Sequence, residues 1–208
     1  MPTTSLLTPN DATLLLVDTQ PGLAFAVESS PRQTLLQNLI ALAKTAAVFN
    51  LPIVVSTSAS KVFSGPIFPE LQAALGSVSP IERTSMNAWE SAEVVAAIDR
   101  AGRKAIILAG LLTEACVAFT AISALAAGYR VLVAADACGA STPVAQDISI
   151  RLLENQGAEL RTWLQLLLEL QRDWTRSATY KGASDIVKAH AGAYGIGLNY
   201  AKAMIRPT

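Results

Sequence analysis

Residues 104–130 read KAIILAGLLTEACVAFTAISALAAGYR, and their order decides the fold. Ala105–Leu108 is a continuous apolar run, the pattern of a strand buried on both faces. A tight turn at Gly110 breaks it. From Glu114 to Ala127 the chain reads as an apolar helix, and Gly128 supplies the left-handed turn that commonly ends one. Arg130 then opens a second strand-like run through Ala134. Strand, helix, glycine and strand in so short a span is the repeating unit of a parallel sheet. Cys116 falls at the start of the helix, just past the strand. There the free N–H groups and partial positive charge of a helix N-terminus lower a thiol's pKa and favour a nucleophilic thiolate. The competing reading is a small buried hydrophobe, the usual role of a free cysteine.

The same alternation extends in both directions. Strand-like runs lie at Ala12–Val17, Pro52–Thr57, Ala105–Leu108, Arg130–Ala134 and Ala158–Trp163, with a weaker one near Val78–Ile81. Helical segments are predicted at Gln33–Phe49, Ser91–Ala101, Glu114–Ala127, Pro143–Asn155 and Leu164–Thr175. Glycine follows three of the helices, at Gly102, Gly128 and Gly157. With right-handed crossovers this predicts a three-layer α/β/α sandwich around a mostly parallel six-stranded sheet. Residues 1–175 form the predicted domain. The tail, 176–208, lacks a strong period and reads as an extension docked on the domain or on a neighbouring subunit.

Composition narrows the function classes. The chain has 208 residues, 51% of them hydrophobic and 15% charged. So charge-poor a surface predicts burial against other copies, a homo-oligomer. Sixteen basic and sixteen acidic residues cancel, and no polybasic run points to nucleic acid or to an anionic membrane. No apolar run is long enough to span a bilayer. Two cysteines without framework spacing, and no secretory signal, predict a cytoplasmic protein. The single histidine, His190, lies in the tail, so neither a His-rich metal site nor a Ser-His-Asp or Cys-His pair is expected on the core.

In a doubly wound sheet the ligand crevice lies beyond the carboxyl ends of the strands, where the strand order reverses. Three residues fall there. Asp18 ends the first strand in LLLVDTQPGL, Arg83 lies just past the weak third strand in SPIERTSMNAWE, and Cys116 follows the fourth. Together a carboxylate, a cation and a thiol can serve as base, electrostatic stabiliser and nucleophile. Each has a bland alternative: Asp18 as a turn-former before Pro21-Gly22, Arg83 as a surface charge.

Strand-Asp-x-Gln, then R-x-x-x-N-A-W, then G-x-x-T-E-x-C-V, resembles the isochorismatase-like cysteine hydrolase superfamily, and most closely its metal-free YcaC-like branch. The likeness runs from about Asp11 to Trp174 and includes Thr162-Trp163, Glu169-Leu170 and Arg172-Asp173-Trp174. The resemblance implies a catalytic triad of Asp18, Arg83 and Cys116, with arginine standing where the amidases of the superfamily carry lysine. It also implies a non-proline cis peptide at Leu111–Leu112 and an oxyanion hole formed by the backbone N–H groups of Leu112 and Cys116. Gln20, Asn87 and Trp89 are candidates for lining the substrate pocket, and a core or interface role is the alternative for Trp89.

The segment STSASKVFSGPIFPEL lacks the histidines of the metal-binding nicotinamidases in this superfamily, so neither metal nor cofactor is expected. The resemblance thus implies cleavage of a C–N bond in a small amide or related substrate through a cysteine thioester. A ring-based octamer is the implied assembly. A thiol-reactive, redox-sensitive or catalytically silent oligomer on the same fold is the alternative. Cys138 ends the fifth strand and reads as packing.

Overall fold

The computed structural model describes residues 5–205. One parallel sheet organises them: β1 (Ala12–Val17), β2 (Ile53–Ser58), β3 (Ile81–Arg83), β4 (Ala105–Leu111), β5 (Arg130–Gly139) and β6 (Glu159–Arg161). Their spatial order is β3-β2-β1-β4-β5-β6, every pair parallel. The order reverses between β1 and β4, which places the switch point of a doubly wound sheet there. Both central strands are buried at every residue, as a sheet covered on two faces requires.

Helices α2 (Arg32–Val48) and α7 (Trp163–Gln171) cover one face; α4 (Ala92–Ala101), α5 (Ala118–Ala126) and α6 (Pro143–Asn155) cover the other. Short helices α1 (Pro21–Ala24) and α3 (Pro69–Leu75) interrupt the connections that follow β1 and β2. Local chemistry fixes the helix ends. Ser91, Thr142 and Thr162 accept hydrogen bonds from Val94, Ala145 and Gln165 backbone N–H groups, capping α4, α6 and α7. Gly102 ends α4 in the left-handed conformation, φ 67°.

The tail forms α8 (Ser177–His190) and α9 (Ala193–Tyr200), ending in a π-helical turn at Ala201–Ile205. α8 packs on α2, burying Ala183, Ile186 and Val187. A Cβ on Gly182 would meet Val48 Cγ2 at 2.7 Å, so the glycine permits the close approach of these helices. At the end of α8, His190 Nδ1 lies 2.9 Å from Gln37 Oε1, and Nε2 lies 3.1 Å from Lys44 Nζ.

Several predicted boundaries move. The third strand is Ile81–Arg83, not Val78–Ile81, because its register is set by pairing of Ile81, Glu82 and Arg83 with Ser56, Thr57 and Ser58. Arg83 is therefore the last residue of that strand. Helix α7 stops at Gln171, four residues short of the predicted Thr175, where Arg172 adopts φ 56°. β5 continues to Gly139, with a register shift against β4 between Leu108 and Gly110.

Candidate active site

The carboxyl ends of β1, β3 and β4 bring three side chains to the switch point. Asp18 directly follows β1 and is wholly buried. Arg83 closes β3 and is 5% exposed. Its guanidinium straddles the carboxylate: Nη1 donates to Oδ1 at 2.5 Å and Nη2 to Oδ2 at 2.7 Å. Nη2 also donates to the Met86 carbonyl at 2.9 Å, and Nη1 to Ser56 Oγ at 3.3 Å. A planar fork matched to a carboxylate fixes both groups in orientation as well as in distance.

Cys116 lies in a π-helical turn, Thr113–Val117, that joins β4 to α5. The turn starts at once after the Leu111–Leu112 peptide, which is cis. Gly110 lets β4 come this close to β1: its φ is 146°, and a Cβ there would lie 1.9 Å from the Val17 carbonyl oxygen. The sulfur sits among the charges of the ion pair. Burial, then the negative charge of Asp18 and the hydrogen bond the thiol makes to it, push the Cys116 pKa up to about 12. The positive charge of Arg83 and the Leu112 backbone N–H act in the opposite direction. Burial alone would lower the Arg83 pKa, but hydrogen bonding and charge from Asp18 outweigh it, and Cys116 adds to the rise.

The expected lowering of the thiol pKa is therefore corrected. A helix start is present, but dehydration and a neighbouring carboxylate dominate it, and the resting group is a thiol beside the Asp18 carboxylate. Such a pair needs no pre-formed thiolate, because the carboxylate can take the proton as the sulfur attacks.

Residues 12–165 match the isochorismatase domain family. The chain belongs to that family. Among its isochorismatase relatives, the probable hydrolase YcaC of Escherichia coli is 39% identical over 169 residues, 81% of each chain. The crystal structure of the E. coli YcaC gene product, described as an octameric hydrolase of unknown specificity, superposes with a TM-score of 0.93 at 34% identity. That match covers 98% of this chain and all of that one. YcaC from Pseudomonas aeruginosa, described with hexane-2,5-diol and covalent acrylamide, gives a TM-score of 0.90 at 36% identity over 95% and 97% of the two chains. The three-layer fold with its six-stranded sheet is thus an isochorismatase-like fold, and the hydrolase family follows from sequence.

The three residues suggested for the pocket lining make contacts within this isochorismatase domain. Gln20 is wholly buried and its amide is consumed by backbone: Nε2 donates to the Ser58 and Gly65 carbonyls at 3.0 and 2.6 Å, and Oε1 accepts from Ser58 N–H at 3.0 Å. It clamps the loop after β2. Asn87 accepts from Trp89 N–H at 3.0 Å and donates to Ser123 Oγ at 2.9 Å, tying the segment after β3 to α5. Trp89 stacks edge-on against Tyr129, centroids 5.3 Å apart. Tyr129 directly precedes β5, so the aromatic pair reaches the amino end of that strand.

Two contacts escaped the sequence reading. Ser56 and the Met86 carbonyl both hold the Arg83 fork. Ser56 carried a signal, since it stands two residues before the end of β2 beside the crevice; the Met86 carbonyl carried none. Glu114 accepts from Ser141 N–H at 2.9 Å and so ties the thiol-bearing turn to the loop before α6. Cys138 is free and buried, and burial first raises its pKa to about 12. Among the described residues no cluster of three or more His, Cys, Asp or Glu side chains is arranged to hold a metal ion, and no helix is long and apolar enough to cross a membrane.

Proposed function

We propose that this protein is a cysteine hydrolase that cleaves the C–N bond of a small amide or related substrate. The observation that carries the reading is the buried Asp18–Arg83 fork beside the Cys116 thiol at the switch point. In the proposed reaction the thiol proton passes to Asp18 as sulfur adds to the carbonyl carbon. The proton then goes to the amine as the C–N bond breaks, leaving a thioester on Cys116. Water adds to the thioester with Asp18 again accepting a proton, the C–S bond breaks, and the released sulfur is reprotonated to the thiol. Arg83 holds the carboxylate plane and offsets charge on sulfur. The Leu112 N–H, which acts to lower the thiol pKa, and the Cys116 N–H are proposed as oxyanion donors; losing one such donor costs roughly 100-fold or more in rate. The covalent acrylamide described for the P. aeruginosa relative supports access of a small neutral amide to a reactive group on this fold.

A redox-sensor role is less well supported, because sensor thiols are acidic and exposed, whereas Cys116 is 7% exposed with a raised pKa. Release of ammonia or amine from a panel of small amides, absent in Cys116→Ala, tests the hydrolase reading. Turnover that survives Cys116→Ala contradicts it.

We also propose a cytoplasmic homo-oligomer, octameric like the E. coli relative. The unpaired cysteines fit a reducing compartment. On α6, Val144, Ile148 and Leu152 form an exposed apolar row at i, i+4 and i+8, flanked by the Asp147–Arg151 ion pair. An antiparallel second α6 would bury the row and set each Asp147 near the other copy's Arg151.

A further inference from the structure

We infer that the crevice over Cys116 selects neutral, apolar substrates, and that Phe63, Met86 and Phe119 are its specificity-determining side chains; this rests on Cys116 being the reactive group of the proposed function. Large apolar side chains stand exposed on segments that follow four different strands: Phe25 after β1, Val62 and Phe63 after β2, Met86 after β3, and Phe119 after β4. Their exposure runs from 44% for Phe119 to 91% for Val62. Isolated exposed apolar residues are ordinary, but a group gathered at the carboxyl edge of one sheet marks a ligand or partner surface.

Backbone contacts tie these segments to the triad. The Met86 carbonyl accepts from Arg83 Nη2 at 2.9 Å. Phe119 is three residues beyond Cys116, in the first turn of α5. The loop carrying Phe63 lies against Gly22: Gly22 N–H donates to the Ser64 carbonyl at 3.0 Å, and a Cβ on Gly22 would meet the Phe63 carbonyl oxygen at 2.5 Å. Gln20 holds both ends of that loop through Ser58 and Gly65.

Most charges nearby are already engaged. Both arms of the Arg83 fork hold Asp18, while Arg83 Nε is buried with no hydrogen-bond partner among the described residues. The Arg32 guanidinium donates to the Ala24 and Phe25 carbonyls. Glu82 accepts from Thr57 Oγ1 and Ser60 N–H. Lys61 is exposed beside Val62. A substrate carboxylate would therefore lose water at an apolar mouth and meet the buried Asp18 charge beyond it, whereas a neutral alkyl or aryl amide meets apolar walls and a hydrogen-bonding floor.

The test compares alkylation of Cys116 by N-benzyl-2-iodoacetamide, iodoacetamide and iodoacetate, read by peptide mass spectrometry. Each second-order rate is divided by that of glutathione at the same pH. The normalised order expected is benzyl, then parent amide, then carboxylate, with at least a tenfold span. Phe63→Ser combined with Phe119→Ser should bring the benzyl-to-parent ratio close to one, and Met86→Lys should raise the iodoacetate value severalfold. Equal normalised rates, or an unchanged order in the variants, overturn the inference. So does a change of oligomeric state in these variants with the probe order intact, because the patch would then be an interface. Probe selectivity without amide turnover would sink hydrolysis and leave the apolar selection standing; turnover without selectivity would do the reverse.

Discussion

Arg83 grips Asp18 with both arms of its guanidinium, at 2.5 and 2.7 Å, where neither side chain is more than 2% exposed. Removing one partner of a buried pair strands the other charge in a poorly solvated place, at a cost of about 3–5 kcal/mol. Arg83→Ala should lower unfolding free energy by that order in urea titrations. Arg83→Lys keeps a charge but loses the two-pronged match, so it should fall between alanine and the wild type. A destabilisation below about 1 kcal/mol for Arg83→Ala would mean the pair contributes little.

Gly110 carries a different demand. An alanine there needs an unfavourable φ of 146° and puts its Cβ 1.9 Å from the Val17 carbonyl oxygen. Gly110→Ala should cost at least the roughly 1–3 kcal/mol typical of overpacking. Since β1 and β4 position Asp18 and Cys116, the variant should also slow Cys116 modification beyond any loss of folded protein. Unfolding titrations and alkylation rates on the same sample separate the two effects.

Gln20 is expected to act through the loop it clamps. Its three hydrogen bonds to Ser58 and Gly65 are worth about 1 kcal/mol each. Gln20→Ala should speed hydrogen exchange in peptides covering 58–66 while leaving peptides from β4 and β5 protected. Unchanged exchange there would return Gln20 to a direct role in ligand binding.

His190 gives the tail a pH dependence. Burial, then the charge of Lys44, lowers its pKa from 6.5, so in the folded state it is a neutral ring accepting from Lys44 and donating to Gln37. A base whose folded pKa is depressed contributes stability above its unfolded pKa and loses it as pH falls through the folded value. Docking of α8 on α2 should therefore weaken below about pH 6.5. Exchange in peptides from 177–190 should accelerate at pH 5 relative to pH 7, after correction for intrinsic rates, and His190→Gln should remove the extra acceleration. Since this is the chain's only histidine, no second imidazole confounds the result.

Much of this architecture was legible in the chain because its signals are local. Apolar strands, capped helices and glycine at helix ends declare the doubly wound sheet, and strand ends alone bring Asp18, Arg83 and Cys116 to one edge. What escaped depends on distant partners. Helix α8 contains Gly182, which weakens its helical pattern, yet that glycine is what lets α8 lie against Val48. β3 follows Ser79-Pro80 and takes its register from β2. Gln20 and Asn87 looked available for ligands because sequence does not show that backbone and Ser123 already occupy their amides. The raised thiol pKa is hidden from sequence for the same reason: a helix start is visible there, whereas burial and an adjacent buried carboxylate are not.

Most direct of all is the pH profile of Cys116 alkylation by iodoacetamide in the wild type and in Asp18→Asn, with amide turnover measured alongside. The wild-type midpoint should lie well above 9, towards the value of about 12. Removing the Asp18 charge and its hydrogen bond should lower the midpoint, making the thiol more acidic, while abolishing turnover for want of a base. A wild-type midpoint below about 8.5, or one that Asp18→Asn leaves in place, would contradict a thiol and carboxylate acting as one unit.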